Sequence, residues 1–294
     1  MKNLLYLLLC IPLLISCEDV IEVDLDPESP RLIVDALIRV DTTQAYTAAN
    51  IKISLSASFF EEIQPAEVDR LSILNEESGS FVAYEPIPGQ PGMYRPFPAT
   101  NSPVVDNNIA TDFLSNPDES LLMEVDYDGQ SYIARTNFAP SVPIDDLTQG
   151  DAMLFGDDQT EVMVTFTDVP NREDFYVFDL DFGEFITSED KFIEGQQFQF
   201  SYFYDQDIEP GDRINISLLG ATEQFFDYMN GIIEQSQQGD NGPFQTPTAT
   251  VRGNFLNVTD NTEGSSNVNR PDAFILGYFS VSQTYSDTIV IVEL

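Results

Sequence analysis

Apolar and polar residues alternate with a period of two along most of this chain, and that pattern limits it to β-structure more than any other feature. Ile51, Ile53, Leu55 and Ala57 fall on one face of an extended segment, with Lys52, Ser54, Ser56 and Ser58 on the other. Leu121, Met123, Val125 and Tyr127 alternate with Glu124 and Asp126, Asp128-Gly129 follows, and Ser131-Tyr132-Ile133-Ala134 resumes the run. An Asp-Gly pair between alternating runs predicts a hairpin, because a type I′ turn requires positive φ at both central positions. Further strands are expected at Arg31–Arg39, Val68–Leu74, Glu161–Thr167, Phe175–Phe182, Phe198–Tyr204, Arg213–Leu218, Ala273–Ser280 and Thr288–Leu294.

Short strands punctuated by turn residues point to sandwiches rather than α/β units. The expected fold is all-β, with two β-sandwich domains. Pro140 and Pro143 interrupt strand pairing and favour an extended connection. The boundaries are therefore set at 30–138 for an immunoglobulin-like first sandwich, 139–143 for a proline linker and 144–294 for a second β-rich domain. One amphipathic helix is inserted in the second domain, near 222–238. Phe225, Phe226, Met229, Ile232 and Ile233 form its apolar stripe, Thr222 its N-cap and Gly239 its stop. Such a helix is expected to plug the open end of the sandwich. Gln237 to Pro271 is rich in Gly, Asn, Thr and Pro and reads as a long loop.

The charge balance narrows the partners. The chain carries 50 Asp+Glu against 12 Lys+Arg, a formal net charge of −38. Nucleic-acid phosphates and anionic lipid surfaces both demand a basic footprint that this chain lacks. It also has no histidine, which removes Ser-His-Asp and Cys-His nucleophile systems, histidine-ligated zinc and a histidine general base.

The N-terminus reads as an address. Lys2 precedes an apolar run from Leu4 to Ile15, too short for the roughly 20-residue span of a bilayer and suited to a secretory signal. It ends in Leu14-Ile15-Ser16-Cys17, which resembles the lipobox of bacterial lipoproteins, where cleavage before the cysteine leaves a lipid on its thiol. Residues 1–16 are thus a lipoprotein signal peptide, Cys17 the lipidation site and 17–29 an acidic tether. More than one acyl chain at Cys17 is enough for stable anchoring. The other cysteine, Cys10, lies inside the signal, so the mature chain retains no thiol for a disulfide or a catalytic site. The acidic run Glu18-Asp19-Val20-Ile21-Glu22 resembles the surface-export signal of Bacteroidetes lipoproteins.

A wider resemblance runs in order along the chain. It takes in the lipobox, Pro30-Arg31-Leu32-Ile33-Val34-Asp35-Ala36-Leu37-Ile38, and Asp128-Gly129-Gln130-Ser131-Tyr132-Ile133-Ala134. It continues through Pro140-Ser141-Val142-Pro143-Ile144-Asp145 and Asn241-Gly242-Pro243-Phe244 to Ile275-Leu276-Gly277-Tyr278-Phe279. Together these segments resemble DUF4249, a family of Bacteroidetes lipoproteins; Gly242 stands where the family more often has Asn. The resemblance implies an accessory role beside a TonB-dependent outer-membrane receptor. It brings no catalytic residues.

Candidate chemistry is carried by carboxylates and aromatics. Asp179 and Asp181 share one face of an extended segment and form a candidate cation-binding or acid/base pair, with a solvated strand end as the plainer reading. Asp126 and Asp128 resemble part of a calcium loop but lack its later ligands, and a hairpin turn explains them better. Asp205, Asp207 and Glu209 are candidate ligands for weak calcium binding; no other cofactor is expected. Phe198, Phe200, Tyr202 and Tyr204 form an aromatic stripe that suits stacking on sugar rings or, more simply, a sandwich core. Pro243 and Phe244 form a candidate interface anchor. Asp41-Thr42-Thr43 resembles a Bacteroidetes O-glycosylation sequon with Thr42 as acceptor; Asp287-Thr288-Ile289 resembles it too, inside an expected strand.

The expected function is that of a non-catalytic, lipid-anchored outer-membrane protein facing the cell surface, which captures ligand for a TonB-dependent receptor or scaffolds it. A cell-surface adhesion or matrix protein is the alternative. A carboxylate-based glycosidase is the enzymatic one, and it requires an Asp/Glu pair in a cleft with one raised pKa.

Overall fold

The computed structural model describes residues 29–57, 61–152, 159–237, 251–259 and 274–293. Cys17, the acidic run behind it, Pro243 and Phe244 lie outside the described residues. In chain order the strands begin with β1 (Leu32–Val40), β2 (Tyr46–Thr47), β3 (Ile51–Leu55), β4 (Gln64–Pro65), β5 (Arg70–Asn75), β6 (Phe81–Pro86) and β7 (Met93–Pro96). After β8 (Val104–Val105) and β9 (Asn108–Ala110) come a one-turn helix, α1 (Thr111–Leu114), and the pair β10 (Ser120–Tyr127) and β11 (Gln130–Ala139). The second half comprises β12 (Ile144–Gln149), β13 (Thr160–Thr167), β14 (Phe175–Asp179), β15 (Phe185–Glu189), β16 (Gln197–Tyr204) and β17 (Arg213–Ala221). Helix α2 (Glu223–Gln237), β18 (Phe255–Asn257) and β19 (Leu276–Val290) complete it.

The chain is all-β apart from these short helices, as the alternation predicts. The β10–β11 hairpin turns at Asp128 (φ 48°) and Gly129 (φ 70°), with Tyr127 opposite Gln130. In β1, Leu32, Val34, Ala36, Ile38 and Val40 are buried while Asp35 and Arg39 are exposed, so the period of two maps directly onto inside and outside.

The first half is not an immunoglobulin-like sandwich. Eight strands close on themselves in the order β19-β1-β3-β7-β6-β5-β10-β11 and back to β19, giving a barrel-like sheet in place of two facing layers. Closure depends on β19, which runs parallel to β1 from Ile33↔Leu276 to Val40↔Gln283 and parallel to β11 at Phe138↔Val281 and Ala139↔Ser282. Where β11 and β19 part, β18 pairs with β11 through Tyr132↔Asn257 and Ala134↔Phe255. Asn254, just before β18, donates from Nδ2 to the Phe279 carbonyl and accepts the Phe279 N–H at Oδ1, bridging to β19. Val34, Ile38, Ile51, Ile53, Ile73, Met123, Phe255 and Phe279 fill the interior. Residues 255–257 and 276–283, expected in the second domain, are thus part of the barrel.

The second half is layered. The sheet β12-β13-β16 faces β15-β14-β17 and the C-terminal half of β19, and Val162, Val164, Phe166, Tyr176, Phe178, Tyr204, Ile214, Ile216 and Leu218 pack between them. Helix α2 is capped by Thr222, whose Oγ1 accepts the Phe225 N–H at 3.2 Å. It does not plug an open end; it lies on the outer face of the β14-β17 sheet, with Phe225 and Met229 against Val177, Leu219, Ala221 and Tyr278. Where β14 and the C-terminal part of β17 are covered on both faces, Tyr176–Phe178 and Ile216–Ala221 are buried without alternation.

The expected proline linker is part of the core. Val142 and Ser141 are buried, and Ser141 donates from its backbone N–H to Gln283 Oε1 and from Oγ to the Leu218 carbonyl. The two expected strands at 273–280 and 288–294 are one 15-residue strand, which changes partner from β1 to β17 at about Gln283. At about 3.3 Å per residue it carries the layered half away from the barrel mouth at Leu32 and Leu276. Among the described residues no helix is long and apolar enough to cross a membrane.

Candidate functional site

Asp168, Asp174 and Asp190 are each nine-tenths or more buried, and their carboxylate oxygens approach within 4.8 Å of one another. Asp168 follows β13, Asp174 precedes β14, and Asp190 opens the 3-10 turn Asp190–Phe192 that begins the crossing from β15 to β16. Burying charges this close is costly unless each is paired or protonated. Here the protein supplies the partners. Tyr176 Oη donates to Asp168 Oδ1 at 2.5 Å, and the Gly195 N–H donates to Asp168 Oδ2 at 2.7 Å. Arg172 Nε donates to Asp174 Oδ1 at 2.6 Å, and the Asp174 N–H donates to Asp190 Oδ2 at 2.9 Å.

Tyr176 Oη also lies 3.0 Å from Asp174 Oδ2. A hydroxyl has one proton to give, so with that proton committed to Asp168 the second contact is satisfied when Asp174 is itself protonated. Burial pushes the Asp174 pKa up, against the lowering pull of the Arg172 guanidinium. Burial and the two carboxylates raise Tyr176 as well, so the phenol stays neutral. Three oxygen ligands of this kind suit a hard cation, but the bonds in place make them a brace that pins the Asp190–Gln196 crossing onto the ends of β13 and β14.

The raised Asp174 pKa carries a sign that can be tested. A carboxyl held more tightly protonated in the fold than in the unfolded chain contributes stability below the unfolded pKa, near 3.9, and that contribution is lost as pH rises through the folded value. Asp174→Asn removes it. The stability gap between wild type and Asp174→Asn is therefore expected to be widest in acid and to narrow toward neutrality, read from urea midpoints across that range. A gap independent of pH would show that Asp174 ionises as in the unfolded chain.

The structure scatters most of the residues singled out in the sequence. Asp179 is paired with Arg39 at 2.5 Å, whereas Asp181 accepts the Asn215 and Phe182 backbone N–H groups, which hold its carboxyl below the usual range. They serve a turn rather than a shared catalytic face. Asp205, Asp207 and Glu209 fall in the connection from β16 to β17 and do not converge; Asp205 accepts a bond from Gln159 Nε2, and the Glu209 N–H donates to Asp212 Oδ2. Thr42 is exposed in a turn where Asp41 Oδ1 accepts from Thr43, and its Oγ1 accepts from Gln283 Nε2 at 2.9 Å. Thr288 lies within β19 and donates to Asn215 Oδ1. Of the aromatic stripe, Tyr204 is buried, Phe200 packs edge-on against Phe178, and Phe198 keeps 37% of its surface exposed.

The buried triad was not singled out because nothing local marks it among 50 acidic residues. The one signal in reach is Arg172, two residues from Asp174 in a chain with few basic residues.

The model of the family described as "Domain of unknown function (DUF4249)" matches residues 18–288. The chain belongs to the DUF4249 family. The resemblance to DUF4249 read from its scattered motifs is thereby shown over residues 18–288, a span that begins after the Leu14–Cys17 segment. No curated protein matches it. Among solved structures, a similar one is the crystal structure of a DUF4785 family protein from Legionella pneumophila subsp. pneumophila str. Philadelphia 1. It is 12% identical with a TM-score of 0.22, and the match covers 64% of this chain and 52% of that one. The DUF4249 chain thus spans about half the length of that protein.

Proposed function

We propose that this DUF4249 protein is a non-catalytic, lipid-anchored outer-membrane protein that captures ligand for a TonB-dependent receptor or scaffolds it at the cell surface. The observation that carries this reading is the sequence Leu14-Ile15-Ser16-Cys17 at the end of a short apolar run, followed at once by acidic residues. Lipid on Cys17 confines the protein to one membrane with its receptor, so a modest intrinsic affinity suffices at the resulting effective concentration. The dozen peptide units from Cys17 to Ser29 reach at most roughly 43 Å, which keeps the barrel mouth near the anchor. The layered half then stands away from the membrane, because β19 runs outward from that mouth. The bonds that tie the buried carboxylates to the protein's own donors favour a binding role over hydrolysis.

The test begins with Cys17→Ala, which is expected to move the protein from the membrane pellet to the soluble fraction; retention in the pellet would remove the anchor from the proposal. The tagged wild-type protein is then captured from gently solubilised outer membranes and its companions identified by mass spectrometry. Stoichiometric recovery of a TonB-dependent receptor is the expected result. Recovery of the lipoprotein alone, from membranes shown to contain the receptor, would overturn the accessory role and bring adhesion forward.

A further inference from the structure

An open edge strand invites pairing with another chain, and folds usually blunt it with charge, a bulge or a cover. In the layered half, β12 and β15 are blunted in these ways. β12 carries Asp145 and Asp146, shifts register between Ile144 and Asp146, and its Gln149 side chain bonds both the N–H and the carbonyl of Val292. β15 ends in Glu189 and is tied to α2, where Thr187 Oγ1 donates to Asn230 Oδ1. β16 has none of these devices. From Gly195 to Tyr204 ten successive residues carry no charge and no proline, in a chain with 50 Asp+Glu. All eight residues of the strand pair with β13 without a register shift.

The ladder fixes which backbone groups of β16 face outward. The Asp168 N–H donates to the Gln196 carbonyl on the β16 side of β13, and the Gly150 N–H donates to the Glu161 carbonyl on the β12 side, both at 3.1 Å. Bonding direction alternates along an antiparallel strand. The even-numbered residues of β16 therefore bond β13, and Gln197, Gln199, Ser201 and Phe203 turn their N–H and C=O groups outward. Among the described residues nothing bonds these backbone groups, and Gln197, Gln199 and Ser201 are exposed. The core-facing side chains along the same edge are aromatic. Phe198 packs edge-on against Phe166 yet keeps 37% of its surface exposed, and Phe200 and Tyr202 follow it.

We infer that β16 pairs with β16 of a second copy of this chain, antiparallel about a two-fold axis at Phe200. Because the outward residues are all odd-numbered, that axis sets Gln199 opposite Ser201 and Gln197 opposite Phe203 of the second copy. Each such pair exchanges two backbone bonds, giving a continuous seam of roughly 26 Å. On the core face the same register sets Phe200 against Phe200 and Phe198 against Tyr202, at the closer positions of the ladder where cross-strand aromatic pairs gain most. The flanking carboxylates Glu194 and Asp205 fall opposite Gln206 and Gly195 of the second copy, not opposite each other. β16 starts beside the buried Asp168–Asp174 brace and leads to Arg213, which pairs with Val290 at the end of β19, so it runs away from the barrel. An antiparallel pair thus places the two barrels at opposite ends and keeps most of the charge of these acidic chains apart. Pairing closes at two copies, because the outer edges of the joined sheet are β12 strands with their acids and register shift. The inference goes beyond the receptor reading and does not rest on it.

The test is sedimentation equilibrium of the full-length chain in density-matched detergent with reductant, over a concentration series that brackets the micromolar range. A reversible dimer is expected, with a micromolar dissociation constant that suits a seam smaller than a standard interface. Ser201→Pro removes an outward N–H that takes no part in the β13 ladder, a position where an edge strand tolerates proline. It is expected to weaken the dimer at least about tenfold, since symmetry removes the bond from both copies, while the cooperative urea transition is retained. Should Ser201→Pro fail to fold, Gln199→Pro removes the neighbouring outward N–H and gives the same reading. Register is read separately. Gln199→Cys chains mixed with Ser201→Cys chains and mildly oxidised are expected to give a heterodimer whose disulfide joins position 199 to position 201, identified by peptide mass spectrometry. A monomer across the whole series, a dimer untouched by either proline in a folded chain, or mixed chains joined only at other positions would overturn the inference. Sedimentation needs only this chain, so its failure and failure to capture a receptor are separate results.

Discussion

Residues 30–138 produced alone are expected to remain unfolded, although they contain the first six of the seven barrel strands that precede Ala139 and nearly all of the seventh. The fragment lacks β18 and β19. Without β19, β1 loses its parallel ladder from Ile33 to Val40, and β11 loses the contact that closes the ring. Two open edges then face each other across a gap that no other strand fills, and long apolar edges of that kind favour aggregation over folding. The interior loses Phe255, Phe279 and Val281, each worth roughly 1.5–3 kcal/mol when fully buried. Domain stabilities of about 5–15 kcal/mol cannot absorb these losses together with an unclosed sheet. Urea titration of the fragment followed by circular dichroism is expected to show no cooperative transition. A sigmoidal transition with a normal slope would mean that the barrel strands form a sufficient core alone, and the boundary at 139–143 would then be a true domain boundary.

That boundary shows where the sequence stops being informative. Individual strands are legible wherever one face is wet: β1 alternates along its whole length, β3, β10 and β11 do so over part of theirs, and Asp128-Gly129 marks the turn between the last two. Partner choice is not encoded in that alternation. β19 reads as two strands because Gln283, Thr284, Ser286 and Asp287 interrupt its apolar run, and these are the residues where it leaves the barrel interior and joins β17. A strand that enters one core and then edges another shows a broken pattern while its backbone continues. β6, β7 and β15 also went unread, being short and only half buried. The proline pair at 140 and 143 looks like a linker locally, and only the tertiary fold reveals Val142 inside the core. The candidate sites follow the same logic. Asp168, Asp174 and Asp190 meet through three separate chain segments, so no spacing rule finds them.

Gly277→Ala is expected to destabilise the protein far more than Gly129→Ala, although both glycines hold positive φ. Gly129 sits at φ 70° in the hairpin turn, and a Cβ there would meet nothing within 4 Å. Its replacement costs the left-handed conformation alone, about 1 kcal/mol. Gly277 sits at φ 92° and pairs with Val34 in the parallel ladder, where a Cβ would lie 2.0 Å from the Val34 carbonyl oxygen. That neighbour is backbone and cannot turn aside as a side chain would. On the other side, the Gly277 carbonyl is so close to Gly253 that a Cβ on Gly253 would fall 1.6 Å from it. Relief therefore requires β1 and β19 to separate at the point where the barrel closes, next to the Asn254 bridge to Phe279. The expected loss is above about 4 kcal/mol, in the range reserved for backbone strain combined with disrupted core packing. Urea midpoints of the two variants decide it. Equal small losses would show that the β1–β19 ladder tolerates a side chain at Gly277, and that ring closure is looser than its register implies. A large loss confined to Gly277→Ala would place the closure of the barrel, and with it the passage of β19 from β1 to β17, on one backbone contact.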